Sequence, residues 1–195
     1  MSILDRIRRK KKQDSFDRRM SMLQEKRGYD ITLIATPTLE IAKKLRNGVK
    51  SLVVYGEPQS GKTEFMIALV CKLLDTGRQT IFILMNDNTE LESQNFSRFK
   101  QANQINPAPV SSSEFHLLED KDKRTPNQRV VFCRKNSSVL TKLIEDARFL
   151  KDRVIIDDEA DYASPNTKIN KADYSTINKL VGNLGDLGSN GSGIY

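Results

Sequence analysis

Four short apolar runs stand out from an otherwise polar chain. They are residues 51–55 (SLVVY), 80–85 (TIFILM), 129–133 (RVVFC) and 153–156 (RVII). Runs this short, without polar alternation, predict strands covered on both faces, as in a parallel sheet. Helical patterns fill the intervals. Residues 64–75 are apolar on nearly every side (Phe65, Met66, Ile67, Leu69, Val70, Leu73, Leu74), which predicts a deeply buried helix, and Gly77 is its stop. Residues 38–45 read as a helix ended by Asn47-Gly48, residues 90–101 as a polar helix, and residues 138–150 and 173–181 as two more. Strands alternating with helices predict an α/β fold: a parallel sheet with helices on both faces.

The remaining segments are less regular. Residues 1–28 read as helix with a thin apolar stripe of Ile3, Leu4, Ile7, Phe16, Met20 and Leu23. Residues 31–35 suggest a short strand or a docking segment. Residues 103–128 contain Pro107, Pro109 and Pro126 and read as loop, with a short strand near residues 115–118. Residues 182–193 are rich in Gly, Asn and Ser. Gly193-Ile194-Tyr195 looks like the start of another strand, so a fragment of a longer protein is expected.

Charge divides the 195 residues unevenly. The net charge is +7. Residues 1–28 hold ten basic against four acidic side chains, while the remainder holds 22 against 21. The basic character therefore belongs to an N-terminal arm, and the expected division is 1–48 as a basic helical extension and 49–195 as the globular lobe. Such an arm suits phosphate neutralisation on nucleic acid, and equally a helix that packs on the lobe or on another part of a larger protein. No apolar run nears the roughly 20 residues that span a bilayer, and no apolar segment follows the basic start as in a secretory signal. Cys71 and Cys133 lie in apolar segments and read as buried free thiols. With His116 the only histidine, no zinc-ligand spacing exists. The cytoplasm is the expected compartment.

The chemistry begins after the first strand. Gly56-Glu57-Pro58-Gln59-Ser60-Gly61-Lys62-Thr63 matches the P-loop pattern G-x-x-x-x-G-K-[ST]. Gly56 and Gly61 permit a backbone that side chains would block. The loop amides, Glu57 to Ser60 included, then cradle phosphates. Lys62 reaches the β- and γ-phosphates, the Thr63 hydroxyl ligates magnesium, and the helix that follows presents its positive end to the same anion. Its position between a buried strand and a buried helix is what the motif requires. The ligands expected are ATP and Mg2+.

A partner for the magnesium lies at the end of the fourth run, Ile156-Asp157-Asp158-Glu159-Ala160-Asp161. A P-loop site needs carboxylates there to hold the metal and orient the attacking water. Asp158 is assigned to the metal, directly or through water, and Glu159 to the water. Asp157 is ambiguous, because a shift of one residue exchanges its role with that of Asp158. Asp161 falls outside the metal shell and suits coupling to a later motif.

These residues resemble the helicases and translocases of superfamily two, whose second motif is DEAD, as at residues 158–161. The fuller match is to the Z-one domain ATPases. It covers roughly residues 53–184 and includes Gln59-Ser60 in the P-loop, Asp75-Thr76-Gly77, Leu91 with Gln94 and Arg98, Arg134-Lys135-Asn136 with Leu140 and Leu143, and Ala163-Ser164 with Asn166-Thr167 after DEAD. The resemblance implies a RecA-like lobe. It implies that Gln94 and Arg98 sit where such lobes touch the nucleic-acid backbone, with Lys135 and Asn136 as further candidate contacts. It also implies restriction or anti-phage systems, with DNA, a nuclease and a second RecA-like lobe as partners. Pro58 departs from the family's valine and removes one amide from the loop. Without a second lobe, the isolated chain is expected to bind ATP and hydrolyse it weakly.

Two other readings stand beside this motor lobe. One is a P-loop ATPase acting as a nucleotide-dependent switch that never moves along nucleic acid. The other is a binding module that holds nucleotide for structure alone.

Overall fold

A computed structural model of the chain describes residues 14–27, 30–55, 61–158, 160, 176–186 and 190–194. Two helices come first, α1 (Ser15–Arg27) and α2 (Thr32–Arg46). After them the chain alternates: β1 (Ser51–Leu52), α3 (Lys62–Asp75), β2 (Thr80–Met85), α4 (Thr89–Gln101) and β3 (Val110–Ser111). Two short helices follow, α5 (Ser112–His116) and α6 (Asp120–Arg124), and then β4 (Arg129–Arg134), α7 (Ser137–Ala147), β5 (Asp152–Asp157), α8 (Thr176–Asp186) and β6 (Asn190–Ile194). The six strands form one sheet in the order β1-β6-β5-β2-β4-β3, with every pairing parallel.

Alternation along the central strands feeds two cores. Ile81, Ile83 and Met85 of β2 join Val130 and Phe132 of β4 and Val154 and Ile156 of β5 on one face. Residues of α1, α2, α3 and α4 cover that face. Phe82 and Leu84, Val131 and Cys133, and Ile155 point the other way, against α5, α7 and α8. With helices on both faces, β2 is buried along its whole length, which accounts for its unbroken apolar composition. This is the expected parallel α/β architecture with a RecA-like sheet.

The helix between β1 and β2 carries the densest packing. Eight residues of α3 are buried, because the sheet lies beneath it and α1 and α2 lie over it. Phe16, Met20 and Leu23 of α1 and Ile41 and Leu45 of α2 share its core. Asp75, at the end of α3, accepts from the amides of Ser15 (3.0 Å) and Phe16 (2.8 Å), capping α1. Arg19 of α1 is buried and pairs with Glu64 in the first turn of α3. Gly77 ends α3 with φ +89°. Its amide and that of Arg78 return to Leu74 and Leu73, which satisfies two of the last carbonyls.

Three expectations need correction. Residues 31–35 are not a strand: they form the N-terminal side of α2, which runs through Pro37, and of the two alternatives docking is the one that holds. Ile31, Ile34 and Ala35 extend the apolar face of Ile41 and Leu45 onto the core, and this packing outweighs the one amide that Pro37 removes. The strand expected at residues 115–118 is absent. Pairing ends with Val110–Ser111, and Ser111 and Glu114 form a reciprocal capping box that opens α5. The segment 103–128 is thus a short strand and two helices rather than loop. The apolar stripe expected on Ile3, Leu4 and Ile7 lies outside the described residues.

Candidate functional site

A parallel sheet places its loops for ligands at the carboxyl ends of its strands, and Lys62, Thr63 and Asp158 lie at that edge. Gly61 precedes α3 with φ +83°, in the left-handed region. Open space surrounds it, so backbone conformation rather than crowding demands glycine. Lys62 and Thr63 are the first two residues of α3. Lys62 is exposed and Thr63 half-buried. The loop residues Gly56, Glu57, Pro58, Gln59 and Ser60 lie outside the described residues, as do Glu159 and Asp161.

Opposite stands β5. Strand β6 lies between β1 and β5, so the two motif-bearing strands are two spacings apart, roughly 10 Å. That interval suits a phosphate chain and a hydrated cation between the α3 terminus and the end of β5. Asp157 and Asp158 occupy that end in different settings. The Asp157 side chain is wholly buried and forms an ion pair with Lys135 Nζ at 2.8 Å. Asp158 is half-buried, and its amide donates to the Leu84 carbonyl at 2.9 Å. The ambiguity between the two carboxylates is thus reduced: Asp157 is engaged inside, and Asp158 stands nearer the solvent side. Hard oxygen donors at a sheet's carboxyl edge, facing a helix N-terminus, fit a magnesium–phosphate group.

Lys135 requires a correction. The nucleic-acid contact expected of it conflicts with a side chain that has no exposed surface and is committed to Asp157. Asn136 is partly exposed but also engaged. Its Oδ1 accepts from the Ser138 amide at 3.0 Å, capping α7, and its Nδ2 donates to Asp87 at 2.9 Å. Arg134 pairs with Asp87 at 3.6 Å and with Glu92 of α4 at 3.3 Å. Burial pushes the Glu92 carboxyl above its ordinary value, with Arg134 opposing and Asp87 adding to the rise. Gln94 and Arg98 are both exposed on α4, four residues apart and so on one face. The clusters that sequence reasoning missed are Arg19–Glu64 and Lys135–Asp157. Arg19 follows Arg18 and Lys135 follows Arg134 in the chain, and nothing in spacing marks either as buried.

A second polar cluster lies on the other side of the sheet. Lys123 is buried and donates to Asp146 at 2.8 Å and to the His116 carbonyl at 2.9 Å. His116 Nδ1 meets the other Asp146 oxygen at 2.8 Å. Arg129 donates to the carbonyls of Asp122, Lys123 and Thr125. These contacts tie α5 and α6 to α7 and β4, which is a structural task.

A helix start of the P-loop pattern and an acidic strand end, on a parallel sheet with helices on both faces, are parts of a P-loop nucleotide-binding lobe. Residues 26–182 match the family described as type III restriction enzyme, res subunit, and the chain belongs to that family. It is therefore an ATPase lobe of the restriction type. No curated protein and no solved structure matches the chain. Among the described residues, no helix is long and apolar enough to cross a membrane.

Proposed function

We propose that this lobe binds ATP with magnesium and forms the first half of a motor that moves along DNA in a restriction or anti-phage system. One arrangement carries the reading: the Gly61–Lys62–Thr63 helix start and the Asp158 strand end share the sheet's carboxyl edge, with β6 between their strands. In this scheme the amides of the 56–61 loop hold the phosphate chain, and Lys62 neutralises its outer charge. The Thr63 hydroxyl and Asp158 hold the magnesium, which offsets charge building on the phosphates during transfer. Glu159 orients the attacking water. Gln94 and Arg98 on α4 contact the DNA backbone. A second RecA-like lobe completes the site, so this chain alone hydrolyses ATP slowly, and a nuclease is the partner of the whole. The lysine–asparagine pair after β4 and the DEAD tail support a Z-one type of lobe. The cytoplasm, where Cys71 and Cys133 stay reduced, is the proposed setting.

The test is binding and turnover by the purified chain. Lys62→Ala should abolish ATP binding, whereas Glu159→Gln should retain bound ATP without turnover. DNA binding should weaken as salt rises, with a log–log slope set by the number of phosphates contacted, and Arg98→Ala should reduce that slope. Nucleotide binding with no DNA binding at any salt would favour the switch instead. Unchanged ATP binding in Lys62→Ala would end both readings.

A further inference from the structure

Strand β2 separates β4 from β5 in the sheet. Lys135 is the first residue beyond β4, and its amide donates to the Met85 carbonyl at the end of β2, at 2.8 Å. From there its side chain passes across the end of β2 to β5. Nζ donates to Asp157 Oδ1 at 2.8 Å and to the Asp158 carbonyl at 2.8 Å. Neither side chain of the ion pair has any exposed surface. The neighbours of Lys135 in sequence serve other elements: Arg134 holds Asp87 and Glu92, and Asn136 caps α7. Lys135 reaches from the 134–136 corner to the acidic end of β5.

We propose that Lys135 is a positioning residue for the magnesium-holding carboxylate, a role that rests on the ATP–magnesium reading above. It acts through Asp157 and through the main chain of Asp158, without touching the nucleotide. Successive side chains on a strand point to opposite faces. Two adjacent carboxylates at a strand end are therefore alternatives for the metal, and something must choose between them. The ammonium chooses by making the buried place favourable for Asp157, since a buried carboxylate without a cation is costly. Its second bond, to the Asp158 carbonyl, fixes the peptide from which the metal-holding side chain projects. With Lys135 removed, Asp157 has reason to turn toward water and the metal, and the Asp158 peptide loses a tether.

The experiment measures Mn2+ binding by electron paramagnetic resonance on the full chain with the slowly hydrolysed analogue ATPγS, and ATPγS binding in EDTA. Lys135→Met alone strands a buried charge, so the informative variant is the double Lys135→Met/Asp157→Leu, in which an apolar pair replaces the ion pair with little loss of stability. It should keep the melting transition and the affinity in EDTA, and lose about 10–100-fold in Mn2+ affinity, the effect expected when a ligand's outer support is removed. Wild-type Mn2+ affinity in the folded double variant overturns the proposal. Asp157→Asn is the second variant: it leaves the buried ammonium without its counter-charge and so lowers the melting temperature, but it keeps an acceptor for Lys135 and, at temperatures where it is folded, should bind Mn2+ much as the unaltered chain does. A loss there as large as in Asp158→Ala means that Asp157 itself holds the metal, and the proposal fails. If Asp158→Ala leaves Mn2+ binding untouched, the ATP–magnesium reading falls, and the role of Lys135 with it.

Discussion

Leu23 tests whether the basic N-terminal helix belongs to the core of the lobe. It has no exposed surface and sits with Phe16 and Met20 in the cluster that includes α3. Leu23→Ala deletes three carbons from a packed interface and leaves a cavity, a change that costs about 2–5 kcal/mol in comparable cores. Domains of this kind hold a total of about 5–15 kcal/mol, so one substitution removes a large part of the margin. At roughly 2–4 °C per kcal/mol for a chain of this size, the melting temperature should fall by about 5–15 °C. Removing residues 1–27 goes further. Phe16, Met20 and Leu23 contribute about 1.5–3 kcal/mol each from apolar burial, together comparable to the whole stability. The truncation also breaks the Arg19–Glu64 pair and bares part of α3. Urea unfolding followed by circular dichroism reads both effects, with the slope checking that the transition stays cooperative. If the truncated chain unfolds at the urea midpoint of the full chain, α1 is a passive extension and the packing argument is refuted.

Three other outcomes follow from the same structure. Burial pushes the thiols of Cys71 and Cys133 up to about 12, so iodoacetamide at mildly alkaline pH should leave both unmodified in the native chain and label both after denaturation, as mass spectrometry would show. The Ser111 amide and hydroxyl hold the Glu114 carboxyl below its ordinary value of 4.5. This capping contact stabilises α5 above that value and is lost as the pH falls through the depressed one; Glu114→Gln should remove the pH dependence seen for the α5 amides by NMR. Arg153 is wholly buried and donates to the Ala147 carbonyl at 3.2 Å, while its Nε and Nη2 make no hydrogen bond among the described residues. Arg153→Met exchanges a poorly satisfied charge for apolar volume and should change stability by less than about 1 kcal/mol or raise it; a loss above about 3 kcal/mol on denaturant unfolding would contradict that view.

The strands at 80–85, 129–134 and 152–157 were legible because burial on both faces leaves only apolar residues between turn signals. The same logic found α3, whose apolar surround reflects cover from the sheet below and from α1 and α2 above. It failed at residues 31–35, where the helix Thr32–Arg46 runs on through Pro37. Local propensity counts against a proline inside a helix, but Ile31 and Ile34 gain more by joining the core than the helix loses at one amide. At residues 110–116 the signal was present and unread: Ser111 and Glu114 stand at capping-box spacing. A search for apolar runs passes over such polar pairs. Strand β6 was expected only from Gly193 onward, since Asn190, Gly191 and Ser192 before it carry no strand-forming side chain. It pairs in parallel with β1 and β5, and Ile194 at its end joins the core.

The site divides along the same line. Lys62, Thr63 and Asp158 could be proposed from the sequence because phosphate and magnesium chemistry restricts which residues can stand at fixed spacing. The buried pairing of Lys135 could not, because its partner is 22 positions away and chain spacing says nothing of a bond made across the end of β2. A lysine after an apolar strand has the same local appearance whether it points at DNA or into the protein. The difference lies in strand order: only with β2 between β4 and β5 does the side chain have a buried carboxylate within reach. Strand order in turn depends on long-range pairing, here of β2 with both β4 and β5. The residue that tells the two carboxylates apart is therefore one that only the assembled sheet can reveal, and a lysine first assigned to nucleic acid becomes part of the metal site's support.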